Sequence, residues 1–168
     1  DRRLLLNLRT GLWPAFEKTV LEETDQFTVS INEDGEIIKE FKGSAAESSM
    51  PEYLHHLVSS RSDWEQLKKE RLNSDSPGRD GFEIRLDGQI LIESAPGVAN
   101  FAEARGILKN SDLPVDMFVG SMFGWPRNWM GLQGISYALY DDEDLVAEMV
   151  DHLANLALSA FQRVLGAL

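Results

Sequence analysis

The chain has 168 residues, 43% hydrophobic and 26% charged, which suits an ordinary globular protein and excludes an intrinsically disordered one. Its 28 acidic residues outweigh 16 Lys and Arg for a net charge of −12, so phosphate backbones would be repelled and nucleic acid is not an expected partner. No cysteine is present, which excludes disulfides, cysteine–zinc sites and thiol nucleophiles within the segment, and no apolar run approaches the ~18 residues of a membrane span.

The chain opens on Asp1-Arg-Arg-Leu-Leu-Leu-Asn-Leu, basic and then briefly apolar, too short for a signal peptide and without a cleavage site. It begins without Met, as expected of a piece cut from something longer, and a cytoplasmic location is the matching expectation. Trp13-Pro14 interrupts any first helix. Phe16-Glu-Lys-Thr-Val-Leu21 reads as a strand beside Phe27-Thr-Val-Ser-Ile31 and Glu36-Ile-Ile-Lys-Glu-Phe41, which flank an Asn32-Glu-Asp-Gly35 turn. These three make an antiparallel meander. Gly43 to Met50 is small and polar and reads as a loop ending at Pro51. His55 and His56 are adjacent, so they diverge on either a strand or a helix; surface or packing roles suit them better than a shared metal.

Ser62-Asp-Trp-Glu65 has capping-box spacing and predicts a helix to about Leu72, before Ser74-Asp-Ser-Pro-Gly78. Phe82 to Leu86 and Gln89 to Ile92 flank Asp87-Gly88 as a second hairpin. Asn100 caps a short helix to Leu108, with Phe101, Ala104 and Leu108 on one side. Leu113-Pro-Val-Asp-Met-Phe-Val119 suits a short buried strand. Asp141-Asp-Glu-Asp144 opens the longest helix as a solvated start, without the alternating ligands of a calcium loop. Its stripe of Leu145, Met149, Leu153, Leu156, Ala160 and Val164 is a packing face. His152 on that helix lacks the partners of a zincin motif.

Between that strand and the helix lies Gly120-Ser-Met-Phe-Gly-Trp-Pro-Arg-Asn-Trp-Met-Gly131, with three glycines, two tryptophans, one Phe and a single cation. Glycines allow close backbone approach, aromatics supply rigid walls, and an arginine pairs a carboxylate or phosphate in two-pronged geometry. Ser121, Phe123, Trp125, Arg127 and Trp129 are therefore the candidate substrate-binding residues. A connection that only packs is the plainer alternative. No residue stands out as catalytic, none is assigned to a metal, and the stretch has neither Gly-x-Gly-x-x-Gly spacing nor a Gly-Lys-Ser end, so nucleotide binding is not indicated.

This stretch, followed by Tyr140-Asp-Asp-Glu-Asp-Leu-Val-Ala-Glu-Met149, resembles the middle of uroporphyrinogen decarboxylase superfamily proteins, closest to poorly characterised bacterial members. Ser49-Met-Pro-Glu-Tyr-Leu54, then Asp63-Trp-Glu-Gln-Leu-Lys-Lys69 and Arg71-Leu72, fit the same family's central segment. The likeness spans residues 16 to 72 and 101 to 165, with 80 to 98 as an insertion in a single incomplete domain. It implies an α/β fold, a partial (β/α)8 TIM barrel with the residue 27–41 hairpin as an embellishment. Such barrels need about 250 residues, so this would be a central fragment, inactive alone, whose open sheet edges invite association, with a homodimer as one option.

Two chemistries follow from the resemblance. One is cofactor-free decarboxylation of a tetrapyrrole or related carboxylated small molecule, as in porphyrin biosynthesis, with Arg127 pairing a carboxylate. The other is methyl transfer with zinc and a corrinoid. The family's arginine-rich N-terminal motif, catalytic aspartate segment and His/Cys zinc motif are all absent here. Where the decarboxylases carry a substrate-facing tyrosine, this chain has Trp129 or a neighbour, which counts against uroporphyrinogen itself. A non-enzymatic module binding a protein partner is the third reading.

Overall fold

The computed structural model describes residues 2–43, 50–94 and 100–168; residues 44–49 of the loop read from Gly43 to Met50, and the end of the 80–98 segment, lie outside the described residues. The chain divides into two compact units, one of residues 1–13, 69–122 and 151–168, the other of residues 14–68 and 123–150.

In the first unit, strand β1 (Leu4–Leu8) alternates buried Leu4, Leu6 and Leu8 with half-exposed Leu5 and Asn7, the period of a strand with one face inward. It is central in a four-stranded sheet ordered β7 (Gln89–Glu93), β6 (Phe82–Leu86), β1, β8 (Val115–Phe118). β6 (Phe82–Leu86) lies antiparallel to it, with Leu4 opposite Leu86 and Leu8 opposite Phe82. β7 (Gln89–Glu93) returns from β6 through Asp87 and Gly88, both at positive φ, as a tight primed turn requires. β8 (Val115–Phe118) runs parallel to β1. The apolar face is covered by Ala104 of α2 (Phe101–Lys109) and by Ala160 and Val164 from the end of α4 (Glu143–Ala167).

Arg79 organises the loops of this unit. It is buried, and its guanidinium donates to the carbonyls of Arg9, Gly11, Trp13, Arg71 and Asn73. Burial, and secondarily Arg163, push it down to about 10, so it stays charged near neutrality.

The second unit carries a meander of β2 (Thr19–Glu23), β3 (Phe27–Ile31), β4 (Ile37–Phe41) and β5 (Glu52–His55), each antiparallel to the next. Helix α1 (Arg61–Arg71) follows. Its cap sits two residues before the predicted Ser62: Ser60 Oγ accepts from the Asp63 N–H at 3.3 Å, and Asp63 accepts from the Ser59 N–H at 3.0 Å. That contact, first of several, holds the Asp63 carboxyl below its usual range. Asn100, expected to cap α2, makes no side-chain capping bond.

The partial (β/α)8 barrel is overturned by the sheets themselves. A barrel needs consecutive parallel strands, each joined to the next by a helix. Here the strands form two separate four-stranded sheets, and β1–β8 is the one parallel pair among the described residues. Tight turns at Asn32–Gly35 and Asp87–Gly88 join neighbours that must then be antiparallel. The residue 27–41 hairpin is accordingly the middle of a sheet, not an embellishment on a barrel.

Candidate functional site

The second unit contains a cleft of about 650 Å3 bordered by the β3–β4 turn, the end of β5 and helix α3 (Gly124–Asp141). Its chemistry begins with cross-strand register. Ile37 of β4 pairs with His55 of β5, so one step further Glu36 faces His56. An irregularity in the ladder leaves Leu54 without a partner between Tyr53 and His55, the kind of bulge that re-aims a strand's side chains.

Glu36 is only 4% exposed. Asn32 clamps it: Asn32 Nδ2 donates to Glu36 Oε2 at 3.0 Å, and Asn32 Oδ1 accepts from the Glu36 N–H at 2.9 Å. The other carboxylate oxygen, Oε1, lies 3.6 Å from His56 Nδ1. Both atoms are buried, and neither has a hydrogen-bond partner. At 3.6 Å this is a charge contact just beyond hydrogen-bond length, the loose form that catalytic contacts often take before a ligand arrives. Tyr53 stacks on the imidazole at 5.7 Å and 16°, fixing its plane.

The far edge of the His56 ring is set by α3. Gly131 interrupts that helix at φ 68° and ψ 163°. A Cβ there would fall 2.2 Å from His56 Nε2, so only glycine leaves room for the ring. With Nδ1 turned inward to a carboxylate, Nε2 is the nitrogen left for chemistry.

Arg127, from the first turn of α3, also borders the cleft. Its Nε and Nη2 donate to Asn128 Oδ1 at 3.3 and 3.0 Å, and the side chain is otherwise exposed. Asp34, on the turn, is pushed above its ordinary range by desolvation and then by Glu33.

Of the five residues singled out in the sequence, Ser121 belongs to the first unit and the other four to the second. Phe123 is exposed, and Trp125 stacks on Trp129 at 6.2 Å. Trp129 is itself buried, its carbonyl accepting from the Val58 N–H. Arg127 is the one that lines the cleft. The stretch read as a loop is helical from Gly124, with Pro126 tolerated in the first turn. Glu36 and His56 were missed as a pair because nothing in sequence distance announces a register contact; the Asn32–Gly35 turn between two strands was the available clue.

No family model matches the chain, nor does any curated protein or solved structure. Among the described residues, no group of three or more His, Cys, Asp or Glu is placed to hold a metal ion, and no helix is long and apolar enough to cross a membrane.

Proposed function

We propose that the second unit binds a carboxylated small molecule in this cleft and passes a proton to it from His56, as cofactor-free decarboxylation requires. The observation that carries the reading is the Glu36–His56 pair, two buried polar atoms facing each other with no other partner. Such a carboxylate fixes the imidazole tautomer and steadies the imidazolium. Arg127 holds the substrate carboxylate, and its second prong reaches the neighbouring carbonyl oxygen as that oxygen gains enolate charge. For a β-keto acid the bond to the carboxylate carbon breaks, CO2 leaves, and its electron pair stays on the substrate carbon. The His56 proton then bonds to that carbon, and the neutral ring is reprotonated from water. The resemblance of the 120–131 stretch to decarboxylases implies the same reaction class.

The test uses the whole chain and acetoacetate, measuring CO2 release above the spontaneous rate. General acid catalysis of this kind is worth about 10^2 to 10^4-fold, to be lost in His56→Gln and reduced in Glu36→Gln. Release at the spontaneous rate, or equal acceleration by His56→Gln, would overturn the reading.

A further inference from the structure

The His56 ring borders a second cleft as well. This one, of about 520 Å3, lies along the other side of the kink in α3. Met130 lines the second cleft and Gly131 the first, and His56 lines both. The floor of the second cleft is apolar, made by Val58, Met130, Ala138 and Leu145, all buried. Gly134 leaves that floor open, since a Cβ there would meet nothing closer than Met130 Cβ at 3.4 Å. The cation at its rim, Arg61, is already committed to Asp142 at 2.8 Å and Glu148 at 2.9 Å. Asp141 also lines it, and among the described residues no uncommitted Lys or Arg does.

Resting on the carboxylate reading of the first cleft, we infer that the ligand is an elongated amphiphile, its carboxylate at Arg127 and its apolar body laid across His56 into the second cleft. Each cleft alone is of small-molecule size. A ligand confined to the first leaves the apolar floor wet, whereas an aryl or alkyl body removes that area from water. The crossing point also puts the carbon chain beside Nε2, where the proton is needed.

Acetate and 4-phenylbutyrate distinguish the possibilities when titrated into the full chain and followed by NMR. The inference predicts that 4-phenylbutyrate binds at least tenfold more tightly than acetate. Gly134→Leu, which fills the second cleft while favouring the helix, should erase that advantage and leave acetate binding unchanged. Arg127→Ala should weaken both ligands. Equal affinity for the two acids, or a phenylbutyrate advantage that survives Gly134→Leu, overturns the amphiphile inference while leaving the carboxylate site standing. Indifference of both acids to Arg127→Ala overturns the carboxylate reading and the inference with it.

Discussion

Replacing Gly131 by alanine isolates the contact on which the site depends. The backbone there, at φ 68° and ψ 163°, is nearly closed to residues with a Cβ, and such strain costs about 1–3 kcal/mol. The added methyl would also sit 2.2 Å from His56 Nε2, so the ring must leave the position in which Nδ1 faces Glu36 Oε1. That leaves a buried carboxylate oxygen without its charge partner, worth a further ~1–2 kcal/mol. A loss of about 2–5 kcal/mol lowers the Tm of a chain this long by roughly 4–20 °C. Gly134→Ala, three residues on, is the matched control. Its Cβ would meet only Met130 at 3.4 Å, and alanine stabilises a helix interior by ~0.5–1 kcal/mol over glycine. Thermal unfolding followed by tryptophan fluorescence reads mainly the second unit, which holds Trp64, Trp125 and Trp129. A Gly131→Ala protein as stable as wild type, or two substitutions shifting Tm with the same sign and size, would refute the reasoning.

Arg79→Met should cost the first unit about 3–5 kcal/mol, because five inward-turned carbonyls lose their shared donor; amide hydrogen exchange in β1 and β6 measures it. Glu148 is held down to about 2, first by Lys68 and then by Trp64, against the pull of burial. Its folded value lies below its unfolded one, so its contribution is full above the ordinary carboxylate range and is lost as pH falls through that range toward 2. The side chain is 35% exposed and screened by solvent, which trims the contribution to about 1 kcal/mol; Glu148→Gln should flatten the acid limb of a stability–pH curve by that amount. Ser60→Ala should remove ~1 kcal/mol through the lost cap of α1, whereas Ser62→Ala should cost less than half as much in urea unfolding.

Local signals in the sequence reached the local structure. The turns at Asn32–Gly35 and Asp87–Gly88 and the apolar stripe of α4 follow from period and turn chemistry, whereas the run Leu4-Leu-Leu-Asn-Leu8 of β1 does not alternate in sequence and reads only as a brief apolar start. Pairing over long distance did not: β1 lies beside β6 and β8, about 80 and 110 residues away, and no local pattern encodes that choice. The barrel implied by the resemblance gives way to two separate sheets. Helix α3 is not legible in the sequence because its glycines, proline and tryptophans are poor helix formers, and burial of Trp129, Met130 and Ile135 overrides their propensity. The site was half legible for the same reason. Arg127 stands out by composition, but the Glu36–His56 contact depends on a strand register with Leu54 bulged, which becomes visible only once the meander is formed.

The proposed function turns on Glu36 orienting His56 with Nε2 toward the ligand. Nitrogen-15 NMR of the imidazole, recorded where the ring is neutral, tests it most directly. Nδ1 should carry the proton and Nε2 none, with that preference weakened in Glu36→Gln. A ring protonated on Nε2, or a tautomer indifferent to Glu36→Gln, would contradict it.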